Sequence, residues 1–336
     1  MPGKLLQKPR PKLQIDFAPL RAQGACVHGW IILDKPVGLG STQAVAAVKR
    51  NFREAGFGKI KVGHGGTLDP LASGVLPIAL GEATKLCGRM LDASKCYDFT
   101  IRFGEQTAGL DAEGEVVATS DVRPTLDEIE AALPEFTGEI EQIPPAYSAI
   151  KIDGKRAYDL ARAGEQIDLK AREVTIYELS IATPRHSREG GNDEATGGKG
   201  GVGEITLSAH VSKGTYIRSL ARDIAHALGT VGHVVMLRRT KAGPFGLDPA
   251  ISLDKLNEIG KGAPLEDIIL PLEAGLDGIP ALDLSPEAAR AIRQGRVLTG
   301  VATKDGLYWG RGPDLRPVAL VEQVDGELRS LRGFNL

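Results

Sequence analysis

The chain of 336 residues is 42% hydrophobic and 25% charged, with a formal net charge of −2, an ordinary globular composition that excludes wholesale disorder. Its three cysteines, Cys26, Cys87 and Cys96, form no CxxC pair, which excludes a disulfide framework and a cysteine zinc site and fits a reducing compartment. No run of about 18 apolar residues is present, and the basic start around Lys4, Lys8, Arg10 and Lys12 lacks a signal-peptide core, so the expectation is a cytoplasmic protein with no membrane span.

The expected elements begin after a loose N-terminal arm, residues 1–27. Gly29-Trp30-Ile31-Ile32-Leu33 is a continuous apolar run closed by Asp34-Lys35-Pro36 and Gly38, the pattern of a buried strand ending in a turn. Ser41 or Thr42 then caps a helix in which Val45, Val48 and Phe52 recur at helical spacing. Val75 to Leu80 reads as a second apolar strand. Tyr97, Phe99, Ile101 and Phe103 alternate with Asp98, Thr100 and Arg102, the period of a strand with one buried face, and Tyr97 points with the apolar set. Residues 125–133 suit a helix, and Ile143-Pro144-Pro145-Ala146-Tyr147-Ser148 suits a loop, because adjacent prolines remove donors and fix φ.

Val174 to Ile181 reads as a strand, followed by a glycine-rich stretch, 187–203, expected to be a flexible surface insertion. Within it Gly198-Lys199-Gly200-Gly201-Val202-Gly203 resembles a phosphate-binding loop, but the next residue is Glu204 where such a loop needs Lys followed by Ser or Thr. Ile205, Leu207, Ala209 and Val211 alternate with polar residues as a further strand; Leu220, Ile224 and Leu228 then mark a helix that Gly229 stops. Short apolar runs, Leu307 to Trp309 and Val318 to Val321, indicate a small β-rich module over 277–336. Long strands and interspersed helices without a repeating βαβ unit predict an α+β fold on a mixed sheet.

The net charge hides a segregation. Residues 212–241 hold six basic residues against one acid, whereas 251–290 hold eight acids against three bases, so a polyanion would meet one favourable face.

Chemistry is densest in His64-Gly65-Gly66-Thr67-Leu68-Asp69-Pro70. Pro70 disfavours helical geometry at Asp69, and the glycines let backbone approach something closely. Asp69 before Pro70 is equally the common pairing of a helix N-cap with its first residue. Ser212 to Arg218, at a junction of strand and helix, places Tyr216 and Arg218 where clefts form, or where a helix entry simply packs.

These stretches together carry a resemblance. His64 to Leu76 resembles the catalytic motif of the TruB-type tRNA pseudouridine synthases, which isomerise uridine 55 in the tRNA T loop. Gly29 to Pro36, Pro144 to Lys151 with Gly154 and Tyr158 to Arg162, Ser212 to Arg222, and His233 to Arg239 match in the same order, over about residues 28–245. The resemblance implies a pseudouridine synthase fold with a mainly antiparallel mixed sheet, a catalytic domain over 28–270 and a PUA-like RNA-binding module over 277–336. It implies Asp69 as catalytic aspartate, Tyr97 as the ring stacked on the target base, Arg218 as the ion-pair partner of Asp69, Tyr216 and Leu237 as walls of the uracil pocket, and His64 as a contact to the opening T loop. Lys151, Lys155, Arg156, Arg162 and the 212–241 cluster would meet phosphates, making affinity strongly salt-dependent.

One departure stands out. The family usually reads Thr-Asp-Thr-x-Asp-x-x-Gly where this chain has Thr107-Ala108-Gly109-Leu110-Asp111-Ala112-Glu113-Gly114. The isomerisation breaks a C–N bond and forms a C–C bond between the same partners, so no cofactor, metal or energy source is implied, and the expected enzyme is a stand-alone monomer acting on the tRNA T-arm. The alternative is a non-catalytic RNA-binding or tRNA-folding protein of the same fold.

Overall fold

The computed structural model describes residues 27–148, 150–152, 154–165, 169–182, 201–262, 265–301 and 303–336. The expected N-terminal arm and glycine-rich insertion lie outside the described residues, apart from Val27 and 201–203. Of those last three, Val202 N–H donates to Pro124 O (2.7 Å) and Gly203 O accepts from Phe103 N–H (2.9 Å).

Strand β1 (Gly29–Lys35) has no exposed flank. Trp30 and Ile32 enter one hydrophobic cluster and Ile31 and Leu33 another, which is why its sequence is an unbroken apolar run. Helix α1 (Ser41–Glu54) starts one residue after Gly40, whose N–H donates to the Gln43 side chain (2.8 Å). Ser41 is therefore not the cap that the sequence suggests. It lies buried and bonds Leu68 instead, donating to its carbonyl (3.0 Å) and accepting from its N–H (2.9 Å).

Strands β2 (Val62–His64) and β3 (Ala72–Leu80) follow, then α2 (Cys87–Asp92), β4 (Lys95–Phe103) and a hairpin of β5 (Glu105–Thr107) and β6 (Val116–Thr119). Helix α3 (Leu126–Ala132) starts at a Thr125 cap reciprocated by Glu128. It leads to β7 (Gly138–Gln142), the two-residue strands β8 (Lys151–Ile152) and β9 (Lys155–Arg156), and α4 (Ala157–Arg162). Next come β10 (Arg172–Ile181), β11 (Glu204–Val211), α5 (Ile217–Ala227), β12 (Gly232–Ala242), β13 (Ile251–Ser252) and α6 (Leu253–Gly262).

The large sheet runs β13-β1-β3-β12-β4-β11-β10-β7, with β2 also on β3. Its β1–β13 and β3–β12 pairs are parallel and the others antiparallel, as a mixed, mainly antiparallel α+β sheet requires. On β4 and β11, Phe99, Ile101, Leu207 and Val211 are buried against Ile217, Leu220 and Ile224 of α5, one face only, which accounts for their alternation.

The two partners on one edge of β3 place the site. Strand β12 pairs with its start (Leu237 opposite Ala72) and β2 with its end (His64 opposite Ile78), so residues 65–71 must cross between them. The approach at Gly74 leaves no room for a side chain: its φ is +99°, and a Cβ would fall 2.2 Å from the Arg239 carbonyl oxygen.

A second, five-stranded sheet holds β14 (Ala281–Asp283), β15 (Leu298–Thr299), β16 (Gly306–Arg311), β17 (Pro317–Val324) and β18 (Glu327–Gly333) in the order β14-β16-β17-β18-β15, with α7 (Pro286–Arg293) packed on it. It joins the first through Leu320 and Phe334, which pack in the cluster containing Trp30 and Phe245.

Candidate active site

Asp69 stands on the 65–71 crossing, its side chain 45% exposed, with Oδ2 2.9 Å from an Arg218 terminal nitrogen. Arg218 comes from the first turn of α5 and is 6% exposed. A cation there opposes the helix dipole, so the position serves the site rather than the helix. Its fork is fully used: one nitrogen donates to Gly109 O (2.8 Å) and Asp111 Oδ2 (3.0 Å), the other to Tyr147 O (3.0 Å) besides Asp69. One guanidinium thus joins the Asp69 loop, the 107–114 loop and the proline-rich loop.

Asp69, Leu71, Asp111, Arg218 and Leu237 line one small pocket. In the sequence Asp111 stands out only as part of the altered 107–114 loop. The signal that marks it is slight: it keeps the last acid of the pattern from which Ala108 and Gly109 depart. Thr107 Oγ1 donates to the Asp111 carbonyl (2.6 Å), and Leu110, with φ +59°, is held by a hydrogen bond from Val234 N–H (3.0 Å), so the loop stays pinned against β12.

The other expected site residues are partly gathered. Leu237 and Tyr97 both pack at the junction of two core clusters, but Tyr97 and Tyr216 do not line the pocket beside Asp69. Tyr216 is the residue before α5; its N–H donates to Gln142 Oε1 (2.7 Å) and its ring carries the Arg172 guanidinium at 4.8 Å. His64 ends β2, its Nδ1 buried and with no hydrogen-bond partner among the described residues. Burial, and next the Arg239 charge, push its pKa below the usual imidazole range, while the Gly66 backbone opposes them. Lys151 lies in β8 and Arg162 ends α4, with their side chains outside the described residues.

Around the carboxylate, Lys35 is fully buried and donates to Pro36 O (3.0 Å), Leu39 O (2.7 Å) and Pro70 O (3.3 Å). Burial pushes its pKa down to about 8, against the pull of Asp69.

The basic segment 212–241 does not form the free face that its composition suggests. Lys213 pairs with Asp92, Arg222 with Asp223 and Arg238 with both oxygens of Asp34, and Arg239 is buried. Lys241 is the exposed member with no ion pair among the described residues. The partners come from α2, α5 and β1, so a window of sequence does not contain most of them.

The chain matches the model "TruB family pseudouridylate synthase (N terminal domain)" over residues 52–217 and "tRNA pseudouridylate synthase B C-terminal domain" over 218–277. It is 66% identical to a tRNA pseudouridine synthase B of Novosphingobium aromaticivorans, covering 92% of this chain and 98% of that one. It is 56% identical to one of Zymomonas mobilis, over 92% and 96%. Among solved structures it is similar to an archaeal box H/ACA sRNP Nop10-Cbf5 complex, with 26% identity, a TM-score of 0.64, and coverage of 91% and 86%. The chain therefore belongs to the TruB family of pseudouridylate synthases.

Proposed function

We propose that this chain isomerises uridine to pseudouridine in tRNA, at position 55 of the T loop, with Asp69 as the group that acts on the sugar–base bond. The observation that carries the reading is the half-exposed Asp69 carboxylate fixed 2.9 Å from a buried guanidinium at the mouth of a pocket. The ion pair orients the carboxylate, and its water-accessible edge leaves an oxygen for substrate.

The reaction breaks the bond from N1 to C1′, turns the uracil, joins C5 to C1′, and moves one proton from C5 so that N1 regains one. Asp69 serves each route open to a single carboxylate: attack on the sugar, attack on the base, or assistance to departing uracil followed by proton removal. Leu237 supplies an apolar wall of the pocket, and Tyr97, packed next to Leu237 outside its lining, stacks on the entering base, so that the detached base does not diffuse away. Tyr216, which stands at the entrance to α5 and does not line the pocket itself, closes over the base only once the base has entered.

A nucleotide inside the T loop must leave its stack, which costs a few kcal/mol. His64, an uncharged ring beside a glycine pair, fits the vacated stack. Lys151, Lys155, Arg156, Arg162 and Lys241 contact phosphates of the T-arm. With five of the six 212–241 cations committed internally, the salt dependence of binding is set by these residues. The protein acts alone, as a monomer in the cytoplasm, and its second sheet (277–336) is a PUA-like RNA-binding module beside a catalytic domain over 28–270. Among the described residues no helix is long and apolar enough to cross a membrane.

The test gives purified protein unmodified tRNA without cofactors and maps pseudouridine. Product in the T loop from the native chain, and a loss of roughly a thousandfold or more with Asp69→Asn, are expected. No T-loop product defeats the substrate; undiminished turnover by Asp69→Asn defeats the mechanism.

A further inference from the structure

The crossing that carries Asp69 is neither helix nor strand, so its carbonyls have no ladder to join. Each of the five from Gly66 to Pro70 nevertheless has a donor. Gly66 O and Thr67 O accept from the two terminal nitrogens of Arg239 (3.3 Å each), and Leu68 O accepts from Ser41 Oγ (3.0 Å). Asp69 O accepts from Ala72 N–H (3.0 Å), and Pro70 O from Gly38 N–H (2.8 Å) and Lys35 Nζ (3.3 Å).

Arg239 does more than fill its share. Its Nε donates to Val75 O (2.7 Å) on β3, so a single guanidinium ties the beginning of the crossing to the strand beyond its end, on both sides of Asp69. The residue is 1% exposed and has no carboxylate in ion-pair range among the described residues. A guanidinium withdrawn from water without a counter-ion is unfavourable unless its donors are used, and an apolar side chain of similar volume would fill the space without that penalty. What the arginine alone supplies is a planar fork that reaches several carbonyls at fixed angles. It also stands opposite Gly74, where a Cβ would fall 2.2 Å from the Arg239 carbonyl oxygen, so the strand that anchors it cannot shift without moving Asp69.

We propose that Arg239 is a positioning residue for the isomerisation: it holds residues 66–75 in the conformation that presents the Asp69 carboxylate to Arg218 and keeps His64, at the other end of the crossing, in register with it. This rests on the pseudouridine synthase reading above. Arg239 touches no substrate; it acts through the backbone on either side of the carboxylate. Ser41, bonded to Leu68 through both its donor and its acceptor, supports the middle of the same span.

The experiment compares the native chain with Arg239→Met, Arg239→Lys and Ser41→Ala, reading thermal melting, tRNA affinity and the single-turnover rate of pseudouridine formation. Arg239→Met is expected to melt cooperatively and bind tRNA within about threefold of native while losing about 100-fold in rate, the scale of loss when a reacting group is displaced by about 1 Å. Arg239→Lys, a point charge in place of a fork, should lose nearly as much, and Ser41→Ala about tenfold at unchanged affinity, in line with a lost neutral hydrogen bond.

The inference is overturned by a folded Arg239→Met that keeps its rate, or by a rate loss explained by weaker tRNA binding. Failure of both Arg239 variants to melt cooperatively also overturns it, since the residue would then be a pillar of the fold and not of the site. A native chain that forms no pseudouridine sinks the functional reading itself; an active native chain with unimpaired Arg239 variants sinks this inference alone.

Discussion

Two arginines in this molecule each hold carboxylates, in opposite settings. Arg218, at the centre, is 7% exposed at its side chain and shared by Asp69 and Asp111. Arg311, in the five-stranded sheet, makes a forked pair with Asp283, whose side chain is 73% exposed. The ideal geometry is at the surface, yet water and salt screen that pair and its contribution is small. At the centre, the same chemistry is shielded, and removing one partner strands a charge. Burial, more than geometry, decides which pair the molecule depends on.

The contrast is sharpened first at Arg218. Arg218→Met should destabilise the chain by about 3–5 kcal/mol, read by denaturant melts, because two acids lose their common cation and two carbonyls lose their donor. A change under about 1 kcal/mol would mean that water reaches the centre freely and the comparison fails. Next, Asp111→Asn removes one charge-assisted bond from Arg218, with about 1.5–3 kcal/mol of destabilisation and a lower turnover rate expected at unaltered tRNA affinity. If the rate stays native, Asp111 is a brace for the 107–114 loop and no part of the catalytic assembly.

A third measurement uses pH. The Lys35 ammonium keeps its proton to its ordinary value of 10.5 when unfolded but only to about 8 in the folded chain. Between these values the unfolded state binds more protons, so the contribution of Lys35 to stability rises as pH rises and is lost as pH falls through about 8. Relative to Lys35→Met, the native chain should therefore gain about 1–2 kcal/mol between pH 8 and 9.5 in urea melts. A difference independent of pH would show that the amine is not shielded. The smallest effect belongs to the surface: Asp283→Asn and Glu327→Gln, which break the Arg311 and Arg329 pairs, should leave the melting temperature unchanged within error. A clear drop in either would erase the distinction between centre and rim.

Much of the framework was legible in the sequence because it follows from local periodicity. The alternation from Tyr97 to Phe103 and from Ile205 to Val211 reports one buried face, the run from Trp30 to Leu33 two, and residues 125–133 a helix. Each pattern is complete within one element. The motif around Asp69 was legible for the same reason, as a contiguous string.

What the sequence could not settle was who meets whom. Ser41 reads as a cap by composition and is claimed by Leu68; the 212–241 cations read as a free basic face and are nearly all taken by acids and carbonyls from other segments. Asp111 comes to Arg218, and Arg239 beneath Asp69, only because β12 sits between β3 and β4. A residue type and its spacing fix the face on which a side chain stands, since that depends on bonds along one strand or helix. Its partner depends on which strands lie adjacent and on what burial leaves unsatisfied, and those are properties of the assembled sheet alone.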